Sequence, residues 1–193
     1  MAKAVETARR KDLVEATIHE IGASGSLDVT VGQIARRAGV SPALAFHYFG
    51  GKDRLFLAAM RTILSVYGAE VRGALMAARD PRTRLEVLVR ASFAPSNFRR
   101  EVISAWLNFY VMAATEPEAR RLLRVYQGRL RSNLTHGLRP LAGDRAPEIA
   151  ERIAGLIDGL YLRAALDAGA STAEQAAAHV LAALEGELRD SAC

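Results

Sequence analysis

The stretch Val31–Leu55, VGQIARRAGVSPALAFHYFGGKDRL, constrains this chain more than any other. Thr30 precedes it as an N-cap, and Gln33 three residues on completes a T-x-x-Q capping box. Val31, Ile34, Ala35 and Ala38 follow at helical spacing and form one apolar face of about two turns. Gly39 supplies the residue that a helix C-terminus takes in the left-handed region. Ser41 is a second N-cap, and Pro42 sits at the first helical position, where its missing N–H leaves no bond unmade. The second helix, Pro42–Phe49, turns Ala45 and Phe49 to one side and leaves Ala43, Phe46 and His47 on others. Two short helices joined by a tight turn, the second offering its outer face, make a helix-turn-helix.

The run Val40–Lys52 resembles the signature of the TetR family of bacterial repressors, roughly V-S-x-G-x-L-Y-x-Y/H-F-x-x-K. Val40, Ser41, Tyr48, Phe49 and Lys52 match, while Ala43 replaces the usual Gly, Ala45 the usual Leu and Phe46 the usual Tyr. The last change removes a hydroxyl, so any DNA contact from Phe46 is apolar. The resemblance implies an all-α chain. Its N-terminal three-helix helix-turn-helix unit would bind DNA, and a six-helix C-terminal domain would regulate and dimerise. The expected boundary divides residues 1–50 from 51–193. By the same resemblance, Pro42, Ala43, Leu44, Phe46 and His47 would face bases in the major groove of a palindromic operator. Thr30, Ser41, Tyr48 and Lys52 would fix the register on phosphates. Only His47 among the base-facing residues has a hydrogen-bonding side chain, so readout would lean on thymine methyls.

Charge alone does not locate a nucleic-acid face. The chain carries a net +5, yet residues 28–54 set Arg36, Arg37, Lys52 and Arg54 against Asp28 and Asp53, a net of +2. Arg9, Arg10 and Lys11 offer an arm for the minor groove, with a solvated first helical turn as the plainer reading. Gly50-Gly51-Lys52 is no phosphate-binding loop, because Asp53 stands where Ser or Thr is required.

Other chemistries lack their residues. Cys193 is the only cysteine, expected as a free thiol on a terminal tail, and rules out a disulfide framework. The four histidines are scattered without metal-ligand spacing, and no G-x-S-x-G elbow or nucleotide loop occurs. No cofactor, no metal and no catalytic residue is expected, leaving an all-α enzyme or a helical interaction module as remote alternatives. The absence of a leader or a long apolar run points to a cytoplasmic protein.

Taken in order, residues 1–7 read as loose, and a first helix runs from Arg9 to about Ser24, stopped by Gly22, Gly25 and Ser26. The fourth helix runs from the Gly50-Gly51 pair to about Arg79, with Leu55, Ala59, Ile63 and Val66 as its inner stripe. Punctuation by Pro and Gly then gives helices at about 82–93, 98–114, 117–139, 147–168 and 172–188, nine in all. Ser171 and Glu174 propose a capping box for the last.

The segments 105–134 and 156–166 are similar to the regulatory domain of the choline-responsive repressors of glycine-betaine synthesis, a subfamily of the TetR family. That similarity makes choline or another quaternary ammonium the expected effector, with a different ligand and efflux or catabolic target genes as the alternative. Cation–π attraction gives the expectation its residues: Phe93, Trp106, Phe109, Tyr110, Tyr126 and Tyr161, with Asp158 or Glu116 to balance charge. Plain core packing is the competing role for each. Ile153, Leu156, Ile157, Leu160 and Ala164 mark one helix, and Ala176, Ala177, Val180, Leu181 and Leu184 another. Two such hairpins would form a four-helix homodimer interface across 147–168 and 172–188, unless both faces are used within the monomer.

Overall fold

The computed structural model describes residues 2–167, 169 and 171–190; Cys193 lies outside them. Nine α-helices are present among the described residues: α1 (Ala2–Ser24), α2 (Val31–Arg37), α3 (Pro42–Phe49), α4 (Lys52–Ala77), α5 (Pro81–Ser92), α6 (Arg100–Thr115), α7 (Pro117–Ala142), α8 (Ala146–Leu166) and α9 (Ala173–Asp190). None is long and apolar enough to cross a membrane, and no cluster of potential metal ligands occurs among the described residues.

The caps of the helix-turn-helix form as the sequence predicts. Thr30 and Gln33 exchange both bonds of the capping box, with Thr30 Oγ1 accepting from the Gln33 N–H at 3.2 Å. Gly39 takes φ 65° beyond α2, and the Val40 N–H reaches back to the Ala35 carbonyl at 3.0 Å. That is a Schellman closure. Ser41 Oγ accepts from the Leu44 N–H at 3.2 Å, and Gly50 caps α3 at φ 72°.

Several sequence expectations shift. Residues 2–7 are helical rather than loose, as α1 extends to Ala2, with Arg10 meeting Glu6 one turn back at 3.5 Å. Gly22 does not stop α1. It sits inside the helix where α1 crosses α6, so close that a Cβ there would lie 2.6 Å from the Glu101 Cα. The inner stripe of α4 runs Leu55, Ala59, Ile63, Tyr67 and Val71 at strict i+4 steps, leaving Val66 43% exposed. Helix α7 continues through Pro140 to Ala142, because one missing N–H in a last turn removes a single bond. The cap of α9 is Thr172 with Gln175, one residue beyond Ser171 and Glu174.

One apolar cluster joins all nine helices. It runs from Leu13, Ile18 and Ile34 in the N-terminal third, through Ile63, Phe109 and Leu134, to Ile157 and Val180. Ile153 and Ile157 on α8 are buried within the single chain, as are Ala176, Ala177, Val180 and Leu184 on α9. Leu156, Leu160, Ala164 and Leu181 are half-buried, and Leu162 and Leu166 are exposed.

Candidate functional site

The outer face of α3 is the first site. Ala45 is buried against the core, whereas Pro42, Ala43, Phe46 and His47 stand in solvent and Leu44 is half-buried. Phe46 is 51% exposed, a large apolar ring without cover in the single chain. Ser41 and Lys52 flank this face at the two ends of α3, with the Lys52 ammonium 5.5 Å from the centre of the Phe56 ring. Thr30 is differently placed. Its hydroxyl donates to Gln33 Oε1 at 2.8 Å while accepting from the Gln33 N–H, so its proton is committed inside the cap.

A residue the sequence reading placed elsewhere braces this face. Arg10 does not extend as an arm; its guanidinium lies 5.4 Å from the centres of both the Tyr48 and Phe49 rings and donates to the Tyr48 carbonyl at 2.5 Å. It fastens the C-terminal end of α3 to α1. The contact joins residues 38 apart, which no local pattern marks.

The second site is an aromatic cluster between α4, α5, α6, α7 and α8. Trp106 lies at its centre, with ring centroids 4.6 Å from Tyr126, 5.9 Å from Tyr110, 6.0 Å from Phe109 and 6.3 Å from Tyr161. Phe93 stacks on Tyr161 at 5.6 Å. The structure therefore gathers all six aromatics named from the sequence. Tyr67 and Phe98 complete the cluster, Tyr67 edge-on to Tyr126 at 5.7 Å and Phe98 edge-on to Tyr161 at 5.2 Å. Tyr67 could have been found by following the i+4 stripe of α4 past Ile63. Phe98 packs from the α5–α6 connection and carries no such signal.

Polar groups organise the cluster's edge. The Tyr126 hydroxyl donates to Asp158 Oδ1 at 3.2 Å, and the Tyr110 hydroxyl also bonds this carboxylate. Burial raises the Asp158 pKa above the usual carboxylate value, against the pull of the two phenols. Burial also pushes the Tyr67 phenol up to about 12. Ser92 ties three elements, as its carbonyl accepts from Tyr161, its hydroxyl meets Tyr67 at 3.3 Å, and it bonds back to Leu88 at 3.0 Å. Glu70 on α4 accepts from Ser96 and Asn97 and so anchors the α5–α6 connection. Glu116 is remote in role, exposed at the junction of α6 and α7. Phe109 and Tyr161 meet Trp106 edge to face, Tyr110 and Tyr126 tilt against it, and Asp158 stands half-buried at the cluster's edge.

Beside the cluster a cleft of about 970 Å³ opens between α4 and α7, and Tyr67 and Tyr126 form part of its wall.

Residues 13–59 match the family described as bacterial regulatory proteins of the tetR family, and residues 81–189 match the BetI-type transcriptional repressor C-terminal family. A protein from Brucella anthropi described as an HTH-type transcriptional regulator BetI is 50% identical over 177 residues, 91% of each chain. A Rhizobium meliloti protein of the same description is 49% identical over 163 residues, 84% of this chain and 80% of that one. A transcriptional regulator from Rhodococcus sp. Rha1 shares the fold, with a TM-score of 0.84 at 24% identity, covering 94% of this chain and 97% of that one. So does a regulator from Saccharomonospora viridis solved in complex with choline, with a TM-score of 0.82 at 23% identity, covering 96% and 97%.

Proposed function

Because this chain belongs to the TetR family of bacterial transcriptional regulators, with a BetI-type repressor C-terminal domain, we propose that its α3 face reads DNA and its Asp158 cluster receives the effector. It is a ligand-responsive DNA-binding regulator and not an enzyme. The finer reading is a homodimer on a palindromic operator, released by a quaternary ammonium such as choline. The observation that carries it is a half-buried carboxylate among aromatic faces, Asp158 beside Trp106, Tyr110, Tyr126 and Tyr161. A quaternary ammonium cannot donate a hydrogen bond, so it is held by π faces and one counter-charge, which this cluster supplies. The choline-bound neighbour from Saccharomonospora viridis supports the same ligand class.

In this reading residues 1–50 are the DNA-binding unit and 51–193 the effector and dimerisation unit. Pro42, Ala43, Leu44, Phe46 and His47 enter the major groove, while Ser41, Tyr48 and Lys52 hold phosphates. Thr30 contributes by fixing the start of α2 and meets a phosphate only if its cap bond to Gln33 is released. A second copy packs on the uncovered side of α8 and α9, around Leu162, Leu166 and the half-buried Leu156, Leu160 and Leu181.

The place of the cluster gives the switch its direction. An ammonium held against Asp158 sits among rings carried by α4, α6, α7 and α8, and α4 follows directly on α3. Ligand and DNA thereby favour different arrangements and oppose each other through one coupling free energy. Fluorescence anisotropy on a labelled duplex from upstream of the gene, at fixed salt, tests this with and without millimolar choline. Specific binding weakened by choline is the expected result. Specific binding indifferent to choline overturns the effector, and binding no tighter than to random DNA overturns the operator reading.

A further inference from the structure

The chain's surplus positive charge is on α7, not on the helix-turn-helix. Arg120, Arg121, Arg124, Arg129, Arg131 and Arg139 stand there against Glu118, a net +5 that equals the net charge of the whole chain. Two of these arginines, Arg124 and Arg129, line the α4–α7 cleft, and Arg61 and Arg72 line it from α4. No acidic residue is part of the lining. Arg61 pairs with the exposed Glu118, whereas Arg72, Arg124 and Arg129 carry no ion pair among the described residues. The remainder of the wall is largely apolar, including Leu64, Val71, Leu122, Val125 and Leu130.

Facing stripes produce this composition. On α4, residues 61, 64, 65, 68, 72 and 75 recur at helical spacing, and on α7 residues 122, 125, 126, 129 and 133 do the same. Gly68 and Gly128 also line the cleft without side chains, and a Cβ on Gly128 would meet nothing within 4 Å. An open cleft of about 970 Å³ at the upper end of ligand-sized pockets, with a cationic rim and an apolar wall, has a defined complement. A purely cationic ligand would be repelled by three uncompensated guanidiniums. A carboxylate or phosphate would meet their planar donor forks.

We propose that the α4–α7 cleft binds an anionic amphiphile, a carboxylate or phosphate head on an apolar body, at a site distinct from the cation site at Asp158. This goes beyond the effector reading above and does not depend on it. Isothermal titration of the full chain with octanoate, octyl phosphate and octanol tests it. Octanoate and octyl phosphate are expected to bind, the tighter of the two identifying the head group. Octanol is expected to bind at least about ten-fold more weakly, since a charged hydrogen bond is worth a ten-fold factor or more. Arg124→Gln and Arg129→Gln should each weaken octanoate about ten-fold. Gly128→Leu, which projects into open space, should block the cleft while leaving the helix content unchanged. Equal affinity for all three heads, no binding of either anion, or binding indifferent to all three variants would overturn the proposal. A loss of DNA affinity in Arg124→Gln without a change for octanoate would assign these charges to DNA and overturn it equally. Choline release of operator DNA is read separately, so failure there leaves this result standing.

Discussion

Replacing Gly22 by alanine sets two opposing effects of known size against each other. Alanine is favoured over glycine inside a helix by about 1 kcal/mol. The new methyl, however, would meet the Glu101 Cα and Cβ at 2.6 Å, and the first of these is backbone that cannot rotate aside. Restoring an ordinary 3.4 Å contact requires α1 and α6 to part by roughly 0.8 Å at their crossing. Overpacking of this kind costs about 1–3 kcal/mol, and a backbone obstacle places it in the upper part of that range. The net is a loss of about 1–2 kcal/mol, which for a chain of this size lowers Tm by about 2–8 °C. Gly128→Ala is the matched control: it adds the same methyl where nothing stands within 4 Å and should raise Tm by about 2–4 °C. Thermal melts of both variants at one protein concentration, held equal because association shifts Tm, make the comparison. A Gly22→Ala protein stabilised as much as Gly128→Ala would refute the close crossing.

Three further outcomes follow from contacts described above. Lys52→Ala should weaken DNA binding by a similar factor on any sequence and reduce the slope of log affinity against log salt by about 1, whereas His47→Ala should relax discrimination between sequences; a sequence-selective effect of Lys52→Ala would count against its phosphate role. Arg10→Ala removes a carbonyl hydrogen bond and two ring contacts, and should lower stability by about 1 kcal/mol in urea titrations and weaken operator binding more than Arg9→Ala does; equal behaviour of the two variants would remove the brace. For Asp158, burial makes the folded pKa higher than the unfolded one, so the native state binds the extra proton and stability falls as pH rises through the window between them. Wild-type stability relative to Asp158→Asn should therefore decline across that window and lie flat on both sides of it, and a difference that rises with pH would reverse the assignment.

What was legible in the sequence was what short-range chemistry decides. Thr30 with Gln33, Gly39, and Ser41 with Pro42 each act within a few residues, and each forms the predicted bond or dihedral. The six aromatics of the regulatory half were nameable because residue type alone selects them, though not their gathering around Trp106. Where two local solutions competed, docking chose. The overlapping pairs Ser171/Glu174 and Thr172/Gln175 both satisfy the capping pattern, and the packing of α9 on α5 and α8 selects the second. Val66 and Tyr67 each fit helical spacing after Ile63, and only the direction of the core favours Tyr67. Arg10 on Tyr48, Phe98 on Tyr161 and Gly22 on Glu101 depend on tertiary approach, which periodicity does not encode.

The α1–α6 crossing bears on how such regulators can be recombined. A chimera joined at Gly50, carrying this helix-turn-helix on a foreign sensor, keeps the chain continuous but replaces the surface that α1 rests on. Gly22 would then face whatever stands in place of Glu101, and the Asn108 bond to the Gly25 carbonyl at 3.4 Å would be lost. A head transplanted without that seat would be tethered through α4 alone, and the sensor's signal would reach it with one of its two linkages missing. The portable unit is the helix-turn-helix together with the α6 surface that α1 crosses.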